Sequence, residues 1–525
     1  MKCEIIRRIS QGTLGNEINE QANNRTEIKQ DNPMEKKQIN LVIKNVVVKD
    51  EEDYLVKTIG AFGLWQAVCS IAVLFTRVVA LWNMMAIAFL TPVTDFECVE
   101  FSNNVTLVVK SHTCYDTCLR YNYSSTIGKT VIEEFGLICQ DAWLASFTQS
   151  ILMLGMLLGV AVFGWISDRF GRRVALILSI LVNAVFMVAM AFSPNLLIYC
   201  IIRLVIGVGT GGALIICVVY VLEITGKQHR EVAGACCLVP DGIAEASLAG
   251  FAYFTSGWQG YTLSYGVATC IILLLIIFVP ESPRWLVSNG KVDEAIKVVT
   301  RAAIRNKLDT TNIKADITKA AEDMKLLDRD AVKTTYLDFF KTKKICLLTL
   351  IVFIIWFCLG VCFYGIYQYV TIIGSNPYIT TVILGLVQLP LCPVGIVLNK
   401  SFGRKISTIG TTCVIGSAMI ILIFIPEGHW VGTMLGVIGF ANANIAFAIS
   451  YIYVSELLPT PLRNMGYGMS SGGAKIGAMI APFIANLTPR WMPSLLFGIA
   501  PFIAALCCLL LPETKGQNLK DTLEK

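Results

Sequence analysis

"GWISDRFGRRVALILSI", from Gly164 to Ile180, places a short charged turn between two long apolar runs. Its charged residues are Asp168, Arg169, Arg172 and Arg173. A related stretch, "GIVLNKSFGRK", runs from Gly395 to Lys405. The 525-residue chain is 55% hydrophobic and 15% charged, whereas soluble globular chains carry about 25% charged residues. Charge confined to turns between apolar runs is typical of a protein that crosses a membrane repeatedly, so the net charge of +6 does not indicate nucleic-acid binding.

Twelve apolar runs are long enough to cross a bilayer core, which takes roughly 20 residues per helix. We therefore predict an all-α integral membrane protein with twelve transmembrane helices. The predicted spans lie near 60–91, 143–165, 173–192, 197–222, 232–255, 262–280, 345–369, 378–398, 406–425, 429–454, 467–487 and 491–511. The first 55 residues are polar and contain no short apolar core with a cleavage site, so we expect no cleaved signal peptide.

Basic residues accumulate on one side of these spans. They lie in segments 166–173, 226–231, 281–344 and 399–405 and at Arg463. The short alternate turns near 193–196, 256–261, 371–377 and 426–428 contain none. Because basic loops stay on the cytoplasmic side, we predict that both termini and segment 281–344 are cytoplasmic and that segment 92–142 lies outside.

The predicted outside segment, 92–142, contains the features of an extracellular loop. Four cysteines lie in it: Cys98, Cys114, Cys118 and Cys139. We expect two disulfides, with three possible connectivities. Asn104 and Asn122 each begin an Asn-X-Ser/Thr sequence, and we predict that both carry glycans.

An internal repeat divides the chain into two halves. Gly164 recurs as Gly395 after 231 residues, and Glu223 as Glu456 after 233. "PESPR" from Pro280 recurs as "PETKG" from Pro512 after 232 residues. The predicted organisation is a polar tail (1–57), a six-helix half (58–280), a cytoplasmic linker (281–344), a second six-helix half (345–511) and a tail (512–525).

A two-fold repeat of six spans predicts a central cavity and alternating access by rocking of the halves. The charged turns lie at the cytoplasmic ends of the second and eighth spans, where Gly164 and Gly171 would permit close backbone approach and Asp168 could meet arginines or a helix N-terminus. Positive-inside anchoring alone would explain the arginines but neither Asp168 nor the glycines. The predicted gating residues are Gly164, Asp168, Arg169, Gly171, Arg172, Arg173, Glu223, Arg230, Gly395, Gly403, Arg404, Glu456 and Arg463.

Several motifs together resemble one family of transporters. They are "GWISDRFGRR", "RLVIGVGTGG" (203–212), "VYVLEITGKQHR" (219–230), "PESPRWL" (280–286), "YVSELLPTPLRN" (453–464) and "LPETKG" (511–516), with "CQDAWL" (139–144) after the cysteine-bearing loop. Over about residues 58–518 the chain resembles the major facilitator superfamily, and more narrowly its organic cation/anion/carnitine transporter family. The resemblance implies two pseudo-symmetric six-helix halves around a substrate cavity.

Three features depart from the family pattern. Asn399 stands where the second charged turn is expected to carry an acid, which predicts a weaker second gate. Gln388 stands where many members carry an acid. The outside loop has four cysteines, where the family usually has more.

Charged residues within spans are costly and suggest function. Arg203 matches a structural arginine of the family, and we expect it to support helix packing or a gate. Arg77, Asp241, Glu245 and Lys475 are the candidate cavity residues. The family's cation carriers tend to have an acid, and its anion and carnitine carriers a base, at the position of Lys475. Lys475 could therefore meet a substrate carboxylate, or it could pair structurally with Asp241 or Glu245.

Asp241 and Glu245, four residues apart on one predicted helix face, could attract an ammonium group or bind a proton or Na⁺. Two acids and two bases would suit a zwitterion, but their charges could also cancel around a neutral ligand.

Aromatic residues supply further candidates. Trp356, Phe363, Tyr364 and Tyr367 lie along the seventh span, and Phe363 and Tyr364 match the family's aromatic pair. Quaternary ammonium groups favour aromatic faces, although ordinary helix packing would account for many of these rings. Phe147, Gln149 and Gln388 are further candidate wall residues.

The sequence therefore predicts a polyspecific plasma-membrane transporter of small organic cations or carnitine-like zwitterions. The alternatives are an organic anion transporter, a sugar porter or a non-transporting sensor on the same fold. No enzyme signature occurs, and we expect no cofactor; a coupling ion, Na⁺ or H⁺, stays open. The expected partners are the substrate and the lipid bilayer, with no nucleic acid, and we expect the chain to function as a monomer.

Overall fold

The structure is a computed structural model that describes residues 54–101, 113–125, 128–329, 339, 342–426, 428–458, 462–489 and 491–515. Asn104 and both chain ends lie outside these residues. The prediction of a glycan at Asn104 therefore stays a prediction.

The first half of the chain consists of helices interrupted by one hairpin. Its elements are α1 (Tyr54–Ile59), α2 (Leu64–Met85), α3 (Ile87–Leu90), β1 (Asp95–Phe101), β2 (Cys118–Ser124), α4 (Val131–Phe135), α5 (Trp143–Phe170), α6 (Arg172–Met190), α7 (Leu196–Ile224), α8 (Arg230–Cys236), α9 (Val239–Phe254) and α10 (Gly257–Ile276).

Three shorter helices separate this half from the second. They are α11 (Pro283–Ser288), α12 (Val292–Arg305) and α13 (Ile313–Arg329). The second half contains α14 (Lys343–Ile373), α15 (Pro377–Gln388), α16 (Leu391–Phe402), α17 (Arg404–Leu422), α18 (Trp430–Leu457), α19 (Arg463–Ala485) and α20 (Trp491–Leu509).

The helices of the described residues confirm the predicted all-α membrane architecture. Nine of them are long and apolar enough to cross a membrane, and α8 and α9 taken together make a tenth span. The bent pair α15 and α16 brings the number to eleven. α19 supplies the twelfth by length and position, because it has 23 residues and covers the predicted eleventh span. Its Gly- and Ser-rich sequence and Lys475 make it less apolar than the others.

Two predicted spans are broken by prolines. The eighth span bends by 48° between α15 and α16, where Pro390 is the N-cap of α16. The fifth span is divided into α8 and α9, with Pro240 in the first turn of α9. Proline lacks the N–H that a continuous helix needs, and the apolar pattern alone could not show this break.

The bundle has two chemically different ends. We call the end that carries the β1–β2 hairpin the loop side, and the opposite end, where α5 ends and α6 begins, the motif side. Large apolar side chains face outward between the two ends, including Phe254, Phe278 and Phe424. An exposed apolar belt of this kind requires lipid rather than water around it.

Small residues bring α5 and α7 into close contact. A Cβ added at Gly155 would overlap the Leu204 carbonyl oxygen, and one added at Gly159 would overlap that of Val208. Because lipid supplies no hydrophobic drive between spans, close backbone packing of small residues is a main source of helix association. These glycines therefore position the second and fourth spans, which carry the first charged turn and Arg203.

On the motif side, α12 is attached to the first span. Asn306 accepts a hydrogen bond from the Trp65 backbone N–H (2.9 Å). The Asn306 amide also donates to the Ile59 carbonyl oxygen (2.8 Å) and to Gln66 (2.7 Å). Asn306 thereby satisfies a free backbone donor at the start of α2, and it fixes α12 to the N-terminal half.

Candidate substrate site and gates

A bidentate ion pair joins the first and fifth spans. Arg77 Nε lies 2.5 Å from Asp241 Oδ1, and Arg77 Nη2 lies 2.6 Å from Asp241 Oδ2. Both side chains are largely buried, with 13% and 14% of their surface exposed. Each of these charges therefore has its partner within the N-terminal half.

Lys475 is bonded to a phenol rather than to a carboxylate. Its Nζ donates to the Tyr364 hydroxyl at 2.8 Å and lies 5.1 Å from the centre of that ring. Arg77 is close enough for its charge to repel that of Lys475. The alternative that pairs Lys475 with Asp241 or Glu245 is therefore wrong for this structure. Lys475 is only 9% exposed, and its ammonium is hydrogen-bonded to an aromatic hydroxyl.

Glu245 lies in the contact between the two halves. It is completely buried, and one carboxyl oxygen accepts a hydrogen bond from the Gln388 amide. The other oxygen, Oε1, has no hydrogen-bond partner among the described residues. Gln388 thus pairs with an acid supplied by the fifth span.

The predicted aromatic residues divide into two groups. Phe363 packs edge-on against Tyr364 (5.0 Å between ring centres) and beside Phe440 (5.2 Å). Tyr367 is buried, and its hydroxyl donates to the Met85 carbonyl oxygen at 3.2 Å. Tyr367 therefore joins the two halves, whereas Tyr364 contacts Lys475 and Phe363 packs against Tyr364.

The sequence analysis missed the aromatic contribution of the tenth span. Tyr451 lies edge-on to Trp356 with 4.6 Å between ring centres, and 47% of its surface is exposed. It lies near Arg77, Asp241 and Tyr364. The tyrosines in "SYIY" (450–453) were a usable signal, since a hydroxyl-bearing ring within an apolar span needs a polar partner.

Gln149 and Arg203 form a structural link between α5, α7 and the first span. The Arg203 guanidinium donates to Gln149 and to the Thr148 carbonyl oxygen. The Gln149 amide donates to the Met84 carbonyl oxygen at 2.8 Å. Phe147 lies in the first turns of α5, 5.6 Å from the ring of Trp143. A substrate role for Gln149 or Phe147 stays a prediction.

The first charged turn forms a network within the N-terminal half. Arg172 contacts Asp168 and Glu223, each at 2.8 Å. The Glu281 carboxylate accepts hydrogen bonds from the backbone N–H groups of Arg172 (2.8 Å) and Arg173 (3.1 Å). Burial raises the pKa of Glu281, although these bonds act in the opposite direction. Asp168 itself is 80% exposed, so it remains available to a further partner.

The second half repeats this network but differs at the position equivalent to Asp168. Arg404 pairs with Glu456 at 2.7 Å, and Glu513 accepts from the backbone N–H groups of Arg404 and Lys405, both at 3.0 Å. Burial of Glu513 would raise its pKa, but four backbone N–H groups outweigh burial and lower it.

The hydrogen bonds also correct the alignment of the two turns. Arg404 donates to the Asn399 carbonyl oxygen just as Arg172 donates to that of Ser167. Asn399 therefore occupies the position of Ser167, and Lys400 that of Asp168. The second turn accordingly has a base where the first has its exposed acid.

Only some of the predicted gating glycines are required by the backbone. Gly171 and Gly403 have positive φ angles of 110° and 87°, and an added Cβ at either would press against Glu281 or Glu513. Gly164, by contrast, has no atom within 4 Å of an added Cβ, and at Gly395 the nearest atoms are 4.0 Å away. The expectation of close approach at Gly164 is wrong for this structure, because α5 faces open space there.

Two further gating candidates begin helices on the motif side. Arg230 starts α8, and its Nε donates weakly to the Thr225 carbonyl oxygen (3.4 Å). Arg463 starts α19. Arg169 lies over the rings of Trp165 (5.6 Å) and Phe170 (5.9 Å). The gating role of these three residues stays a prediction.

Comparison with known proteins places this bundle in a family. The profile of the family described as sugar (and other) transporter matches residues 68–524. Solute carrier family 22 member 3 of Mus musculus is 34% identical over 75% of this chain and 71% of its own length. The chain belongs to solute carrier family 22.

Other relatives support this membership. Solute carrier family 22 member 13 of Homo sapiens is 33% identical over 74% of the chain and 70% of its own length. The organic cation transporter protein of Drosophila melanogaster is 30% identical over 78% and 76%. The matched family consists of transporters, which confirms the prediction that the chain is not an enzyme.

A solved structure shows the same fold. The partially occluded inward open conformation of the xylose transporter XylE from E. coli superposes with a TM-score of 0.64 and 18% identity, covering 87% of this chain and 100% of that one. This likeness confirms the predicted major facilitator fold of two six-helix halves.

In this family member, hydrogen bonds close the two halves against each other near the loop side. Ser146 Oγ donates to the Pro482 carbonyl oxygen at 3.0 Å and accepts from the Asn486 amide at 2.9 Å. Ser150 donates to the Met479 carbonyl oxygen. We call these contacts between α5 and α19 the loop-side seam.

Segment 92–142, which we call the loop-side segment, is held in place by two disulfides and by contacts with the bundle. The disulfides, Cys98–Cys118 and Cys114–Cys139, select one of the three possible connectivities. Glu134 accepts hydrogen bonds from Lys129, Trp258 and Gln259. Asn122 is exposed on β2 and accessible to a glycan.

Proposed function

We propose that this family member carries small organic cations or carnitine-like zwitterions across the plasma membrane by alternating access, with the loop side outward. The name of one relative, the organic cation transporter protein of Drosophila melanogaster, supports organic cations as the substrate class. The central residues support the narrower choice of a ligand that bears both a carboxylate and an ammonium group.

The observation that carries this proposal is the environment of Lys475. Its ammonium is bonded to the Tyr364 hydroxyl, while Asp241 is occupied by Arg77 and Glu245 by Gln388. A buried ammonium is costly without a compensating anion. A substrate carboxylate can supply that anion, and the cost of burying Lys475 then favours binding.

The rings around Lys475 suit the other end of a zwitterion. Tyr364 lies against the Lys475 ammonium, Phe363 packs against Tyr364, and Tyr451 lies near Tyr364. A quaternary ammonium group gains about 0.5–2 kcal/mol from each suitable aromatic face. Lys475 and these rings together distinguish a zwitterion from a simple cation, which the lysine would repel.

An organic anion is the second candidate, because the same Lys475 would attract it. The two candidates differ in their need for the aromatic faces. Replacing Phe363, Tyr364 or Tyr451 by a residue without a ring should weaken zwitterion transport much more than anion transport.

The closed loop-side seam supports a cycle in which this structure is the state facing the cytoplasm. Opening of that seam, with closure around the charged turns, would expose Lys475 to the outside. Such rocking of two halves around a central site is how inverted- and parallel-repeat transporters work.

Uptake by cells expressing the protein tests the proposal. Labelled carnitine, tetraethylammonium, a dicarboxylate and glucose are compared at matched surface expression, with and without Na⁺ and at two external pH values. We expect carnitine uptake to exceed the others. Preferential dicarboxylate uptake would indicate the anion carrier, glucose uptake a sugar porter, and absence of flux for all four would contradict transport.

A further inference from the structure

A cavity lies in the loop-side segment, outside the bundle. Its volume is about 340 Å³, within the size range of small-molecule sites. Three tyrosines, Tyr115, Tyr121 and Tyr123, and two acids, Asp116 and Asp141, line it. Both cysteines of the Cys114–Cys139 disulfide also line it, so a covalent link holds its two walls together.

The tyrosine wall is built by strand geometry. Tyr121 and Tyr123 are two residues apart on β2, so they lie on the same face of the hairpin. The Tyr121 hydroxyl accepts from the Tyr115 backbone N–H (3.1 Å) and donates to the Tyr115 carbonyl oxygen (3.3 Å). Its ring is thus held in place before any ligand arrives. Asn122 lies on the opposite face, so a glycan there would leave the cavity open.

The charge around the cavity is negative. Segment 92–142 contains seven acidic and three basic residues, a net charge of −4 in a chain whose total is +6. Asp116 and Asp141 are both exposed, and Glu133 lies close to Tyr123. Burial and that acid raise the pKa of Tyr123, so its ring stays neutral and presents an uncharged aromatic face.

The cavity lies next to the loop-side seam. Cys139 and Asp141 form the short turn that leads into α5. Ser146, which contacts Asn486 in the seam, follows Asp141 by five residues. A ligand bound in the cavity would therefore lie beside the part of α5 that moves when the seam opens.

We propose that this cavity is a capture site for organic ammonium cations and for the ammonium end of zwitterions, separate from Lys475. Aromatic faces and a negative rim are the two features by which proteins recognise quaternary ammonium groups, and a negative field concentrates cations at an entrance. The inference deepens the proposed function and rests on it for its role in transport, while binding itself can be measured independently.

Binding is measured on the full-length protein in nanodiscs, by saturation-transfer NMR of tetraethylammonium. Tyr123→Leu removes the aromatic face at similar bulk, Tyr123→Phe keeps it, and Asp141→Asn removes one charge of the rim. Non-reducing gels confirm that the disulfides remain intact. We expect Tyr123→Leu and Asp141→Asn to weaken saturation transfer about two- to fivefold, and Tyr123→Phe to match the wild type.

Uptake kinetics give the second readout. Tyr123→Leu should raise the KM for carnitine by a similar factor without changing the maximal rate per surface molecule. Equal saturation transfer in wild type and Tyr123→Leu would overturn the proposal, and so would equal losses in Tyr123→Leu and Tyr123→Phe. If the wild type carries none of the tested solutes, the transport proposal fails, whereas binding that depends on the Tyr123 ring would still support the capture site.

Discussion

Lys475 allows the charge of the substrate to be tested with single residues. Lys475→Asp both removes an attraction and adds a repulsion. It should therefore move selectivity from carnitine towards tetraethylammonium further than Lys475→Ala does. Uptake of both solutes at matched surface expression measures the change, and unchanged selectivity in a well-expressed Lys475→Asp protein would rule out contact with the substrate.

The Arg77–Asp241 pair predicts strongly non-additive effects on stability. Removing one partner of a buried ion pair leaves an uncompensated charge and costs about 3–5 kcal/mol, whereas removing both often costs little. We expect Arg77→Met and Asp241→Asn to lower the thermal unfolding temperature more than the double variant does. If the two single losses simply add in the double variant, the pair does not exist in the folded protein.

The sequence identified the central residues but not their partners. Arg77, Asp241, Glu245 and Lys475 were recognisable because charge within an apolar run is expensive. The partner of Lys475 depends on the depth and rotation of α14 relative to α19, which no single-sequence pattern contains. Tyr451 was missed although "SYIY" (450–453) places hydroxyl-bearing rings within an apolar span.

Among the elements, the two charged turns differ in one side chain with mechanistic consequences. Asp168 is exposed, while its counterpart by hydrogen bonding is Lys400. We predict that Asp168→Asn leaves the unfolding temperature nearly unchanged, because its contact with Arg172 is exposed. It should lower the maximal uptake rate at least about tenfold, because it removes the exposed charge that closure of the motif side would use.

A matched control exists on the same side of the molecule. Asp293 is also exposed, at the start of α12, and Asp293→Asn should leave both stability and uptake unchanged. Full uptake by Asp168→Asn at equal surface density would reject the gating role of this acid.

The attachment of the loop-side segment should weaken in acid. The hydrogen bond from Lys129, with those from Trp258 and Gln259, lowers the pKa of Glu134 in the folded protein. A lowered folded-state pKa means that the stabilisation is complete above the unfolded value of about 4.3 and is lost as the pH falls through the folded value.

Thermal scans of wild type and Glu134→Gln measure this difference. The wild type should be more stable at pH 7, and the two should converge as the pH falls below the unfolded value of about 4.3. Glu133→Gln serves as the neighbouring control and should follow the wild type. A constant gap between wild type and Glu134→Gln at every pH would show that the carboxylate charge is irrelevant to the attachment.

At the scale of the whole molecule, a covalent cross-link across the loop-side seam should keep the seam closed and stop transport. Ser146 and Asn486 are in hydrogen-bond contact, so cysteines at both positions should form a disulfide under mild oxidation. We expect uptake by the double variant to stop on oxidation and to return on reduction. Each single cysteine variant and the wild type receive the same treatment, and undiminished uptake by a fully cross-linked protein would show that the seam never opens.

Most of the architecture followed from apolar run length and the internal repeat. All twelve predicted spans have counterparts, including α19, whose glycines and lysine make it the least apolar. The bend at Pro390 was not predicted, because the apolar pattern continues through it. The disulfide connectivity also required the folded hairpin, since spacing alone allows three pairings.

The repeated network at the charged turns has a consequence for how the protein can be assembled. Tyr220 donates to the Pro280 carbonyl oxygen, and Tyr453 donates to that of Pro512. These bonds, like the Arg172–Glu223 and Arg404–Glu456 pairs, begin and end within one half. Each half is thus stabilised by its own contacts. None of these contacts requires a continuous backbone between α13 and α14. Two separately translated polypeptides, cut between those helices, should meet in the bilayer and form a working carrier.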